Sequence, residues 1–383
     1  MPYSPEPNAD PHTSPAATYQ GEPARDLGEA RVLFSTETVR SPLTGIGRYT
    51  LELGQALRSL AGARIRCHPV EPSFHASADA DQGASRLRAL ARQVPGAHLA
   101  MDRVRERRFA RAADRAACSV YHEPNYLLRD FDGRSVVTVH DLSYLRYPQY
   151  HAKRSLRFLA TRLPRSLARA DRVIVPTAFV RDELTELLDV RPDRIRVVHE
   201  GVPQPAAPVP DAETARILKT AGLEIDRYLL SVGTREPRKN LETLVAAYTQ
   251  LPERVRARFP LVIVGGKGWA HGDTDRRIER LRRRNQAVVL GYVADETLRA
   301  LYAGASGFAY MSWYEGFGLP PLEAMAAGAP VVTSTAGALV EVTGSAALHT
   351  PPGDVDAMTA TLNRLLHDQD LREALGLQGR DLA

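Results

Sequence analysis

Apolar residues fall along this chain in two rhythms. Short unbroken runs such as "YLLSVG" (228–233), "PLVIVGG" (260–266), "AVVLGYV" (287–293) and "SGFAYM" (306–311) have no polar face. Such runs match strands covered on both sides, as in a parallel sheet. Between them, "NLETLVAAYTQL" (240–251), "DRRIERLRRRN" (275–285) and "DETLRALYAGA" (295–305) read as amphipathic helices. "SAALHT" (345–350) and "DVDAMTATLNRLL" (354–366) add one more strand and helix. Strand and helix alternate throughout, which predicts a doubly wound α/β sheet.

The first half carries the same rhythm less regularly. "ARVLFSTETV" (30–39) reads as a strand, and "GIGRYTLELGQALRSL" (45–60) as a loop running into a helix. Further strand-like runs are "RIRCHPV", "CSVYH", "SVVTVH", "RVIVP" and "IRVVHEG", with "KRSLRFLATRLPRSLARA" helical among them. "VPQPAAPVPD" (202–211) holds four prolines and almost no large apolar group, as a linker does. The reading is therefore a disordered extension over 1–28, one Rossmann-like domain over 29–201, a linker over 202–215 and a second such domain over 216–383. Two domains of this kind place ligands in the cleft at their strands' carboxyl ends.

One segment carries the clearest chemistry. "WYEGFGLPPLEAMAAGAPVV" (313–332) follows a strand and enters a helix whose first turn holds Pro320 and Pro321, where a missing N–H costs nothing. A helix N-terminus offers free N–H groups and a partial positive charge, so it favours phosphate. Gly316 and Gly318 would let a ligand approach the backbone. Glu315 and Glu323 bracket this anion site and would repel a phosphate unless each faced hydrogen-bond donors. Sugar hydroxyls are such donors, and a nucleotide sugar carries them on both sides of its diphosphate.

Three other segments fall where the cleft is expected. In "SVGTREPRKNLETL" (231–244), Arg238 and Lys239 stand at a helix start, a position unfavourable to cations unless an anion joins them. The proposed diphosphate would serve. "GIGRY" (45–49) has Thr50 where a dinucleotide fingerprint needs its third glycine, so it is either a close-approach loop or an ordinary turn. His140 and Asp141 end the apolar run of "VVTVHDLSYLRYP" (136–148) as a possible base, hydroxyl clamp or metal pair, or a plain strand-end turn. Rival chemistries fail on spacing. "GGKGW" lacks the Walker spacing, no serine sits in a G-x-S-x-G elbow, and no D-x-D string ends an apolar strand, so no metal ligands are expected.

Composition narrows the classes. The chain has 383 residues and a formal charge of +5, 44% of its residues are hydrophobic, and its two cysteines, Cys67 and Cys118, show no pairing signature. This fits a globular protein of the cytoplasm with no signal core or spanning helix. Nine arginines against three acids between Arg86 and Ala117 give that stretch a balance of +6. Either it is a solvated helical face, or it meets the inner face of an anionic membrane. A nucleic-acid-binding protein is the alternative, weakened because Phe109 alone could stack on bases.

Taken together, Glu315 to Glu323 (an E-x7-E pair), "GTREPRKNL", "VIVGGKGW", "LGYVADETLRALYAGA", "VHDLSYLRYP" and "GIGRYT" resemble the retaining glycosyltransferases of family four, in that family's order from about Arg31 to Leu366. These versions resemble bacterial mannosyl- or rhamnosyltransferases of polysaccharide assembly. The resemblance implies the GT-B fold, two Rossmann-like domains facing across a cleft, and metal-independent transfer from a nucleotide-diphosphate sugar, GDP-mannose favoured, to a glycan or polyprenyl-linked acceptor. It implies that Glu323 binds the donor ribose and Glu315 the transferred sugar, while Arg238, Lys239 and the backbone from Gly316 and Phe317 to Gly318 and Leu319 hold the diphosphate. His140 would touch the donor sugar, Gly47 would pass close to it, and Tyr292 would lie near the base. A nucleotide-sugar epimerase on the same fold is the enzyme alternative. Two departures stand out. Gly233 occupies a site where some relatives carry arginine, so the clamp is lighter or recruits Arg235, and "LQGRDLA" ends the sequence where relatives continue into a crossover helix.

Overall fold

The computed structural model describes residues 30–39, 44–68, 97–202, 211–268 and 272–383. The extension read over 1–28 lies outside these residues. So do 86–96 of the basic stretch, 203–210 of the linker and the D-x-D at Asp79–Asp81.

Two six-stranded sheets organise the molecule, and every described pairing is parallel. The first contains β1 (Val32–Ser35), β2 (Ile65–His68), β3 (Val120–Glu123), β4 (Arg134–Thr138), β5 (Arg172–Val175) and β6 (Ile195–Val197), in the order β2-β1-β3-β4-β5-β6. The second contains β7 (Leu229–Val232), β8 (Leu261–Val264), β9 (Ala287–Gly291), β10 (Gly307–Tyr310), β11 (Val331–Ser334) and β12 (Ala347–Thr350), in the order β12-β11-β10-β7-β8-β9. Every apolar run singled out from the sequence is one of these strands. Helices cover both faces, and the second sheet separates two apolar clusters, one around Phe308, Met325 and Leu301, the other around Leu244, Ile263 and Leu362. This is the two-lobed GT-B arrangement.

Strand order decides where a site can form. In each sheet the chain winds outward in both directions from one central gap, and ligands of such sheets bind at the carboxyl ends beside that gap. In the second sheet the gap lies between β7 and β10, so the loops 233–240 and 311–318 leave from neighbouring strands.

Several local readings change. "GIGRY" is not a loop: the helix Gly45–Ala61 begins there, with Thr44 Oγ1 accepting from Gly47 N at 3.1 Å. The span 212–215, read as linker, opens the helix Ala212–Thr220, capped by Asp211, and Leu218 of that helix is buried in the second lobe. Phe109 is buried against Tyr121, Phe131 and His68 and offers no ring to a base, whereas Arg107, Arg108, Arg111 and Arg115 of the same helix are exposed. The remaining D-x-D strings are helix starts: Asp354 caps Val355–His367 and Asp368 caps Gln369–Leu382 through side-chain oxygens.

Candidate active site

At the central gap of the second sheet, Glu315 is 7% exposed and surrounded by donors. Its Oε1 accepts from Lys239 Nζ at 2.7 Å, Ser312 Oγ at 2.6 Å and Tyr310 OH at 3.0 Å, and its Oε2 from Arg238 Nη1 at 3.2 Å. Burial alone would push this carboxyl up. The Lys239 and Arg238 charges outweigh it and hold the group at about 2. Both cations shift the other way: burial lowers them, but the Glu315 charge more than compensates and leaves them raised.

This revises one expectation. The anion that relieves Arg238 and Lys239 is Glu315 itself, reached across the gap between β7 and β10. The two cations do not open a regular helix either. They lie in the 3-10 turn Pro237–Lys239, and Asn240, in the left-handed region at φ 51°, then starts the helix Leu241–Gln250. Asp141 and Glu236 also act on Arg238, so the two cations stand among three carboxylates.

The segment after Glu315 also differs from its first reading. A Cβ on Gly316 would lie 1.9 Å from the His140 carbonyl oxygen, and the Gly316 carbonyl accepts from Thr177 Oγ1 at 2.9 Å. Gly316 therefore admits the opposite lobe rather than a ligand. Phe317 is buried. Gly318, at φ 110°, makes the turn into the helix Leu319–Ala326 and offers no side-chain cap. Pro320 and Pro321 lack N–H groups, and among the described residues the amides of Gly318 and Leu319 find no acceptor outside the helix.

His140 is brought to the cleft, but both ring nitrogens are engaged within the first lobe. Nε2 meets Pro124 O at 2.8 Å and Nδ1 meets Glu200 Oε1 at 3.1 Å, while Tyr49 packs edge-on at 4.7 Å between centroids. Glu323, half-buried, accepts from Tyr302 OH at 2.9 Å. Burial pushes its carboxyl up, with Tyr302 and Arg48 pulling it down. Gly47 is buried one residue before Arg48, which crosses to Asp295 at 2.7 Å. Tyr292 stands 68% exposed just after β9, with Asp295 three residues on.

Sequence reasoning missed Tyr310, Ser312, Arg48 and Glu200. Tyr310 and Ser312 precede Glu315 by five and three residues in "YMSWYE", but nothing local says that they turn back onto it. Arg48 follows the two glycines of "GIGRY", and nothing in that spacing says that it reaches the second lobe. Glu200 is 60 residues from its partner His140.

Two facing Rossmann-like lobes, with a cation–carboxylate cluster at a strand switch point between them, define an α/β enzyme of the inter-lobe-cleft type. Comparison with known proteins then assigns the family. The description "Glycosyl transferases group 1" matches residues 217–382 and "Glycosyltransferase Family 4" matches residues 43–204. The chain is 37% identical over 364 residues to O-antigen chain mannosyltransferase B of Escherichia coli, covering 91% of this chain and 94% of that protein. To O-antigen chain mannosyltransferase RfbU of Salmonella typhimurium it is 25% identical, across 84% and 87% of the two chains. The solved structure of Anabaena Alr3699/HepE in complex with UDP and glucose shares the fold with a TM-score of 0.67 at 17% identity, covering 92% and 94%. The chain belongs to the family 4, group 1 glycosyltransferases and is a glycosyltransferase.

Proposed function

We propose that the cleft transfers a mannosyl residue from a nucleoside-diphosphate mannose to a growing glycan, with retained anomeric configuration and without a metal. The observation that carries this is the Glu315–Lys239–Arg238 cluster beside the uncapped N–H groups of Gly318 and Leu319. A diphosphate seated there would meet a helix N-terminus with two amide donors and have Lys239 and Arg238 nearby, which supports binding without a metal. Mannose is favoured because the relatives aligned over most of this chain are named O-antigen mannosyltransferases. The complex of HepE with UDP and glucose supports a nucleotide-linked donor.

In this reading Glu323 takes the ribose diol, the exposed Tyr292 lies toward the base, and Gly47 lets the first helix pass close to the donor. Glu315 fixes the two cations and faces the transferred sugar, and His140 borders it from the other lobe. The bond from C1 to the diphosphate oxygen breaks as the acceptor oxygen bonds to C1 on the same face. The acceptor's proton passes to the departing phosphate oxygen, so no side chain is consumed. The protein contributes orientation and a preorganised field. The family assignment does not favour an epimerase.

Thermal-shift titration with GDP-, UDP-, dTDP- and ADP-sugars tests the donor, with stabilisation by GDP-mannose expected and none by the others. Equal response to all four, or to none, overturns the assignment. We also infer peripheral contact with anionic lipid through the exposed arginines of the helix Ala97–Ala116. Flotation with phosphatidylglycerol vesicles checks it, and protein left at the bottom of the gradient refutes it. No described helix is long and apolar enough to cross a membrane.

A further inference from the structure

The His140 ring sits between two acceptors. Its Nε2 meets the Pro124 carbonyl oxygen at 2.8 Å, and its Nδ1 meets Glu200 Oε1 at 3.1 Å. A carbonyl oxygen only accepts, and so does an ionised carboxylate, so each ring nitrogen has to bring a hydrogen. A neutral imidazole carries one N–H and cannot serve both. The two side chains are 11% and 8% exposed, which leaves water little part in either bond.

The surroundings hold one charge pair and no rival to it. Tyr49 packs edge-on to the ring at 4.7 Å and Tyr126 at 6.1 Å. Burial pushes the Tyr49 hydroxyl up to about 12 and that of Tyr126 well above its ordinary value, so both stay neutral. His122, the other histidine of this wall, is held down to about 4 by burial, to which the His140 charge adds. Its Nε2 meets Thr138 Oγ1 at 3.1 Å. Asp141, next in the chain, turns its carboxylate to the amide and hydroxyl of Ser143. The second lobe meets His140 at its carbonyl, through Gly316.

Placement gives the pair a use. Pro124 follows β3, His140 follows β4, and Glu200 lies three residues beyond β6, where the first lobe ends. One ring thus ties the carboxyl ends of three strands, and its own backbone carbonyl is the one that Gly316 packs against.

We propose that Glu200 is a positioning residue for transfer, which keeps His140 as an imidazolium bonded at both nitrogens in the wall of the cleft. The assignment rests on the transferase reading of that cleft. His140 then has no lone pair with which to take the acceptor's proton, so it is a fixed, charged wall and not a general base. Glu200 acts through it, by fixing ring and carbonyl where the lobes meet.

Nitrogen-15 NMR of histidine-labelled protein at neutral pH reads the ring directly, with the His140 signal identified by its loss in His140→Gln. Two protonated ring nitrogens are expected in the wild type. Glu200→Gln can turn its amide N–H toward Nδ1, so a ring with one bare nitrogen is expected there, and Glu200→Asp, which keeps the charge, should restore the second proton. Glu200→Gln should also lower kcat for transfer from GDP-mannose to octyl α-mannoside about tenfold, the worth of one charge-assisted hydrogen bond. Its affinity for GDP, by calorimetric titration, should be unchanged. A bare Nδ1 in the wild type, as a protonated Glu200 would produce, overturns the proposal. So does a Glu200→Gln variant that keeps wild-type kcat, or one that loses GDP binding together with kcat. A wild type that binds no GDP and transfers no mannose overturns the transferase reading, and the nitrogen spectrum still decides the charge on His140.

Discussion

Glu315 and its donors form the tightest polar cluster in the cleft, and its consequences are those of a buried ion set. Replacing it with Gln removes the carboxylate that Lys239 and Arg238 share. Removing one partner of a buried pair costs about 3–5 kcal/mol, so Glu315→Gln is expected to lower Tm by many degrees. Turnover should fall by about two orders of magnitude or more, through lost electrostatic preorganisation. Steady-state kinetics and a melting curve on one preparation check both, and a variant with wild-type kcat removes the cluster from the mechanism. Its pH dependence follows from the low value of the carboxyl. A group held at about 2 in the fold, and near the usual carboxylate range when unfolded, stabilises the fold above about pH 4.5. That stability is lost as pH falls toward 2. The Tm gap between wild type and Glu315→Gln should therefore be constant near neutrality and narrow on acidification. Glu123 is the opposite case. Burial raises its carboxyl to about 7, against the Tyr121 bond that lowers it, so its contribution turns unfavourable as pH rises from about 4.5 and is fully so above about 7. Glu123→Gln is expected to raise Tm at pH 8 and to change it little at pH 5.

At the scale of elements, the loop 311–318 is where two lobes and a site share the same residues. Gly316 lies against the His140 carbonyl with no room for a methyl group. Gly316→Ala should force the loop and the first lobe apart while leaving each sheet intact. The expected outcome is a larger radius of gyration by small-angle scattering, near-native circular dichroism and transfer lost by more than tenfold. An unchanged radius and rate would show that the loop relaxes instead. The same scale explains an ambiguity in the sequence. A D-x-D string is a metal motif in one setting and a helix start in another, and at Asp354 and Asp368 the following amides settle it as capping.

The whole molecule is held closed by contacts that no single lobe contains. Glu341 of the second lobe accepts from the amides of Ala178 at 2.8 Å and Phe179 at 2.9 Å, serving as a cap for a helix on the other side of the cleft. Tyr314 joins in: its hydroxyl accepts from Leu142 N at 2.9 Å and donates to Glu183, which Arg146 pairs at 2.7 Å. Glu341→Ala is expected to cost about 1 kcal/mol as a lost cap and to shift the molecule toward an open form. Limited proteolysis between the lobes should accelerate, and the donor KM should rise more than kcat falls. Equal proteolysis rates would count against a closing role.

Strands, most helices and the two-lobe plan were all readable from the order of residues. Periodicity and turn chemistry are local, and each apolar run keeps its meaning without knowing its neighbours. Residues 45–49 and 212–215 were misjudged, because a glycine or a proline-rich approach hides a helix start that a side-chain cap then fixes. What the order of residues could not say is which loops become neighbours. That β7 lies beside β10, so that Glu315 meets Lys239, follows from strand order in the sheet. That Gly316 meets His140 follows from how two separately folded lobes close. Charges and hydroxyls far apart in sequence acquire their pairing only there, since the energy of an ion pair or hydrogen bond depends on distance in space and not along the chain.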